Sequence, residues 1–279
     1  MHSFSRVIHA TSLALTAALC LPSSGQEAKF SNESIWASGT FRTEYVWGIR
    51  SMADGKHYTT QEYDENEGSC IVKWSYKTGK VVDTLLTSNM AFGDPRETFS
   101  GYEFSSDERF VVLTTESEGL YRHSFFANFH VYDMTISAPA RPVTDFSRGK
   151  QRLAQLSPSG DKVAFVRDNN IYVSDLASGE ETTVTTDGKF NHIINGATDW
   201  VYEEEFGDDQ ALSWSGDGQR LAYLKFDESA VREFHMPMYG SLYPDPYTFK
   251  YPKAGEDNSE VSVHIFNLVE GASKEVNLP

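Results

Sequence analysis

The 279 residues carry 24 Lys and Arg against 40 Asp and Glu, a formal net charge of -16; so acidic a chain repels polyphosphate, which excludes nucleic acid as a partner. With 39% hydrophobic and 13% aromatic residues it can bury a sizeable core, which excludes a disordered tail. Beyond the amino-terminal segment no apolar run is long enough to span a bilayer.

Residues 1–25 read as a secretory signal peptide: Arg6 supplies the positive start, Ala10 to Leu21 the apolar core, and Ser23-Ser24-Gly25 a small-residue cleavage site before Gln26. A lipoprotein anchor at Cys20 would want a small residue where Leu19 stands. The mature chain is then 26–279, secreted or periplasmic. Loss of the leader removes one cation, Arg6, and no acid. It also removes Cys20, so Cys70 is left without a disulfide partner.

A repeat follows in chain order. Phe104 to Leu113 (FSSDERFVVL), Leu156 to Phe165 (LSPSGDKVAF) and Trp214 to Tyr223 (WSGDGQRLAY) share one pattern. An apolar residue and a serine lead into a polar turn with Asp or Gly, then a β-rich apolar strand. Ser105, Ser157 and Ser215 stand roughly 50–60 positions apart, near the period of a propeller blade with insertions. A second motif pairs strands across polar turns: Ile71 to Tyr76 before Lys77-Thr78-Gly79-Lys80, Asn170 to Leu176 before Ala177-Ser178-Gly179, and Val261 to Leu268 before Glu270-Gly271. Together these predict an all-β fold of about four four-stranded blades, near 44–87, 101–145, 151–186 and 210–279.

Two segments fall outside the repeat. Residues 187–209 carry an acidic turn between the third and fourth blades. Residues 232–257, dense in Pro and Tyr, read as too irregular for a strand ladder and as an excursion from the fourth blade.

Chemistry is densest at DWVYEEEF, Asp199 to Phe206. Asp199 is an N-cap residue type, and a short helical turn from there spaces successive side chains ~100° apart, so two neighbouring glutamates reach one space while the third points elsewhere. A carboxylate pair held together wants a cation. Lys or Arg would serve, and so would the α-ammonium at the free end of a peptide, which offers charge-assisted hydrogen bonds to two acceptors.

A second candidate is Tyr121-Arg122-His123-Ser124. Arg122 follows a strand and a polar stretch, so it stands at a blade's loop end with its donor fork available to a carboxylate or carbonyl. His123 is expected to pack or hydrogen-bond and not to act as a base, because no G-x-S-x-G nucleophile elbow occurs in these 279 residues. Calcium at Asp64 to Gly68 would need a bidentate acid where Ser75 stands. No Cys or His spacing suggests zinc, and no cofactor is implied.

The run NGATDWVYEEEF followed by ALSWSGDGQRLAYLKFDE, with the segment YRHS before FFANFHVYDM and the later YPKAGE, resembles the dipeptidyl peptidase IV family of serine exopeptidases. The resemblance extends from roughly Trp47 to Pro279. It implies an eight-bladed propeller, of which this chain would supply the amino-terminal half, followed by an α/β-hydrolase domain that is absent here together with its Ser, Asp and His. It further implies that Glu204 and Glu205 grip the substrate's amino terminus. Arg122, preceded by Tyr121 where the family has Trp, would pair with them and contact the substrate backbone. The partners so implied are an oligopeptide with a free amino end, the missing hydrolase domain and a second copy meeting at 232–257.

The function expected from that likeness is the substrate-recognition part of a dipeptidyl aminopeptidase. The alternative is a non-catalytic propeller that binds peptides or proteins. A prolyl oligopeptidase or acylaminoacyl peptidase relative fits less well, since those lack the Glu-Glu segment.

Overall fold

A computed structural model describes residues 30–43 and 45–278; the expected signal peptide, with Cys20, lies outside them. The chain divides into two compact units at the Val46–Trp47 junction. In the first, the described residues form one short π-helical turn, Glu33–Ala37, none of it buried.

The second unit is an incomplete β-propeller. Blade 1 comprises β1 (Arg50–Ser51), β2 (His57–Asp64), β3 (Gly68–Ser75) and β4 (Val81–Thr87), followed by helix α1 (Ser88–Phe92). Blade 2 comprises β5 (Gly101–Phe104), β6 (Phe110–Gly119), β7 (Phe125–Asp133) and β8 (Arg141–Pro142), and blade 3 comprises β9 (Arg152–Leu156), β10 (Lys162–Arg167), β11 (Asn170–Asp175) and β12 (Glu181–Thr183). Each is an antiparallel meander in which neighbours in sequence are neighbours in the sheet. Blade 4 comprises β13 (Ile193–Asn195), β14 (Leu212–Trp214), β15 (Arg220–Asp227), β18 (Glu260–Asn267) and β19 (Ala272–Glu275), interrupted by helix α2 (Trp200–Phe206) and the hairpin of β16 (Glu233–Met238) and β17 (Asp245–Lys250).

The serine repeat has a local cause. Ser105, Ser157 and Ser215 each close the turn between a blade's first strand and the next. Their hydroxyls accept from the amides of Phe110 (2.9 Å), Lys162 (3.1 Å) and Arg220 (2.9 Å). They donate in turn to Asp107 (2.6 Å), Asp161 (2.9 Å) and Asp217 (2.5 Å). Within each turn one residue takes positive φ: Glu108 at 58°, Gly160 at 70° and Gly218 at 66°.

Packing between blades follows the two-residue period of the strands. In β10, Val163 and Phe165 join the cluster shared with blade 2, while Ala164 and Val166 join the cluster shared with blade 4. In β6, Phe110 and Val112 face blade 3, and Val111 and Leu113 face blade 1. A strand covered on both faces reads as an unbroken apolar run, as KVAFV and FVVL do.

Two expectations change. Blade 4 begins at Ile193, not near residue 210: β13 and β14 both pair with β15, β13 with Lys225–Asp227 and β14 with Leu221–Tyr223. They are two halves of one strand, and the acidic segment looped out between them leaves from inside that blade. Residues 232–257 were expected to be too irregular for a ladder, yet β16 and β17 pair in continuous register from Glu233 opposite Lys250 to Met238 opposite Asp245. The prolines do not break it because Pro237 faces Pro246, a position at which the ladder asks neither residue for an amide.

Candidate functional site

Asn195 ends β13, and Gly196 turns the chain out of the blade. Gly196 N donates to Leu224 O (3.0 Å), Ala211 N to Gly196 O (3.0 Å) and Leu224 N to Ala211 O (2.9 Å), so the loop leaves and returns at one point. Gly196 has φ 75°, and a Cβ there would lie 2.8 Å from Ile171 Cγ1; only glycine fits.

Helix α2 is short, so its ends and side faces hold it. Asp199 caps it by accepting from Tyr202 N (3.0 Å), and its second oxygen accepts from Ser259 Oγ (2.6 Å). Gly207 ends it in the left-handed region with its amide on Glu203 O. Tyr202 lies edge-on to Phe226 at 4.9 Å, and Trp200 packs on Tyr251 at 4.5 Å.

The three glutamates then part company. Glu203 is fully buried, its Oε1 accepting from His123 N (2.7 Å) and Ser124 N (2.9 Å) in the turn between β6 and β7. Glu204 lies at the surface against Arg122, whose Nε is 2.9 Å from both carboxylate oxygens and whose Nη2 is 2.8 Å from Oε1. Glu205 is exposed and has no side-chain hydrogen bond or ion pair among the described residues. Arg122 and Glu204 are therefore brought together across two blades, and Glu205 is the next residue along the helix. The expectation that one glutamate points away applies to Glu203, which points inward.

The turn is aimed by this buried acid, since Glu203 fixes two consecutive amides beside Arg122. His123 enters through its backbone; its side chain is exposed. The Arg122–Glu204 pair itself adds little stability, because 67% of the Arg122 side chain is accessible and exposed ion pairs are worth about 0–1 kcal/mol. Its hydrogen bonds with Arg122 hold the Glu204 carboxyl below the usual range.

Three participating residues carried no signal in the sequence. Arg152 of β9 is 4% exposed, and burial pushes its guanidinium down, opposed first by Glu203. Glu228 is 6% exposed, and burial, then Asp199, pushes it up to about 7. Glu203 itself is indistinguishable in sequence from its two neighbours. The Asp64 loop is a turn, with Asp64 Oδ1 accepting from Asn66 N (2.8 Å) and Glu67 N (3.1 Å). No cluster of three or more His, Cys, Asp or Glu suited to a metal occurs among the described residues.

Three blades whose first strands line a shared cavity, with an acidic helix let out of the fourth blade to meet an arginine of the second, define a propeller that presents a mixed-charge site. The chain belongs to the dipeptidyl peptidase IV family: residues 105–279 match the model of the dipeptidyl peptidase IV N-terminal region. It is 36% identical over 244 residues to a probable dipeptidyl peptidase 4 of Arthroderma benhamiae, covering 85% of this chain and 29% of that one. It is also 33% identical over 232 residues to prolyl endopeptidase FAP of Bos taurus, covering 82% and 29%. The solved dipeptidyl peptidase 4 of Porphyromonas gingivalis superposes with a TM-score of 0.80 at 45% identity over 90% of this chain and 35% of that one. The chain thus spans under a third of the length of these curated relatives.

Proposed function

We propose that this chain is the substrate-recognition part of a serine dipeptidyl aminopeptidase, which releases dipeptides from the free amino end of oligopeptides. Glu204 and Glu205 receive the peptide's ammonium, and Arg122 holds Glu204 in place while its remaining donors face the substrate backbone. The observation that carries this reading is the surface Arg122–Glu204 pair, followed on the helix by the exposed Glu205. So exposed a pair adds little to folding, but it leaves two acids where a ligand can reach them. An ammonium ~4 Å from one carboxylate gains roughly 4 kcal/mol at an effective dielectric of 20, before desolvation. Anchoring the amino end at a fixed point sets how far the chain reaches toward a nucleophile, so binding remote from the scissile bond is used for positioning.

The family relatives named as dipeptidyl peptidases support this activity; the hydrolase domain that would partner this chain is proposed from the family resemblance alone. The amino-terminal pattern supports export to a secreted or periplasmic location, and no helix among the described residues is long and apolar enough to cross a membrane. The β16–β17 hairpin, with Leu242 90% and Tyr243 80% exposed at its tip, is proposed as the contact for a second copy.

The test is kinetic, on the longest gene product that carries this chain. Glu204→Gln and Glu205→Gln, which keep shape and remove charge, should each lower kcat/KM for Ala-Ala-p-nitroanilide at least tenfold, about 1.4 kcal/mol. Residual turnover of the N-acetylated substrate should not change. Full activity of both variants on the free-amino substrate contradicts the assignment.

A further inference from the structure

Behind the surface pair lies a second set of charges. Glu203 Oε2, Arg152 Nε and Nη2 and Ser124 Oγ are all buried without a hydrogen-bond partner among the described residues. These side chains come from three blades: Ser124 leads into β7 of blade 2, Arg152 is on β9 of blade 3, and Glu203 is on the helix let out of blade 4. Arg152 and Ser124 line a cavity of about 350 Å³ together with Arg50, Glu103 and Asp209. The orphan atoms are complementary, since the carboxylate lacks a donor where the guanidinium lacks acceptors. A buried charge of either sign is costly unless a counter-charge shares its site.

We propose that Arg152 is the buried counter-charge of Glu203 and, through it, a positioning residue for the Arg122–Glu204 pair. The chain of action is short. Arg152 supplies positive charge behind Glu203, Glu203 Oε1 holds the His123 and Ser124 amides, and those amides set the turn from which Arg122 reaches Glu204. The positioning role rests on the proposed function; the pairing of Arg152 with Glu203 does not.

Other groups bear on the same charge. Tyr121 and Asp209 act on Arg152 directly, and Glu228 and Tyr247 stand behind Tyr121. His123 and Arg122 face Glu204 on the outer side.

The pairing is tested on this chain by urea-denaturation midpoints of wild type, Arg152→Gln, Glu203→Gln, the double variant and Arg152→Lys, from pH 5 to 8. Without its cation Glu203 resists ionisation in the folded state, so it binds protons more tightly folded than unfolded, and stability falls as pH rises. The Arg152→Gln deficit should therefore grow from pH 5 to pH 8. Adding Glu203→Gln should recover at least half of it, and Arg152→Lys should lose less. Additive losses, a deficit that does not change with pH, or a lysine no better than glutamine would overturn the pairing. Should Arg152→Gln fail to fold at pH 8, folding of the double variant there is the same positive result, and failure of both overturns it.

Positioning is read in the longer gene product. At a pH where the variants are folded, Arg152→Gln should raise KM for the free-amino substrate at least fivefold with a smaller change in kcat, and Arg152→Lys should restore part of the loss. An unchanged KM overturns the positioning role. A coupled cycle in a protein with no free-amino preference removes the proposed function and leaves the pairing; a clear preference with an additive cycle removes only the pairing.

Discussion

Glu228 follows the last residue of β15 and lies buried among unlike neighbours: Asp199, which caps α2, Asp227, and Lys250 of β17. Burial first, and Asp199 second, push its carboxyl up to about 7, well above the ~4.3 of an unfolded chain. The sign of the linkage follows. The folded state binds this proton more tightly than the unfolded state, so the stability this group contributes is full below pH ~4.3 and is lost as pH rises through about 7. Glu228→Gln removes the titration and keeps the shape. The variant should be more stable than wild type at pH 8, by up to about 3 kcal/mol, and indistinguishable near pH 4.5. Paired thermal melts across that range are the check, and parallel curves would contradict the shift. The serines of the blade turns sit at the other extreme. Their role is spent within five residues, which is why Ser105, Ser157 and Ser215 were legible as a repeat.

At the scale of elements, α2 gains its place from the strand it interrupts. Leaving and rejoining β15 through backbone bonds at Gly196 and Ala211 ties the helix to a rigid sheet, so its glutamates are aimed by blade 4 and not by a free loop. The β16–β17 hairpin is tied at its base, where Tyr251 meets Trp200 and Phe249 meets Tyr121 at 6.1 Å. Its far end is not covered: Met238, Tyr239, Leu242 and Tyr243 are 50% to 90% exposed. A contiguous apolar tip of that kind marks an interaction surface. On the proposed contact for a second copy, Leu242→Asp with Tyr243→Asp should lower the mass seen in sedimentation while leaving the melting temperature nearly unchanged; an unaltered mass would contradict the hairpin contact. This element was misjudged in the sequence because its prolines read as breakers. Only the register, which sets Pro237 against Pro246, shows why they are tolerated.

Across the whole propeller unit, the blades were legible because each strand's pattern answers to its two neighbours: KVAFV is apolar throughout since β10 is covered on both faces. The site was legible only in part. Asp199 and the helix follow from local residue types, but Arg122 meets Glu204 across 82 positions, and no periodicity predicts such a meeting; family likeness did. Arg152 was invisible because a buried arginine is spelled like an exposed one. Blade 4 has a partly open outer face, where Val261 and Ile265 are each 37% exposed. The central claim is that the acids beside Arg122 form a receptor for a peptide's charged end. Its most direct measurement is calorimetric titration of the longest gene product, at pH 7 and low salt, with trialanine and with N-acetyl-trialanine. The free-amino peptide should bind at least tenfold more tightly, with the difference abolished by Glu204→Gln combined with Glu205→Gln. Equal affinity for the two peptides, or a preference that survives the double substitution, would contradict it.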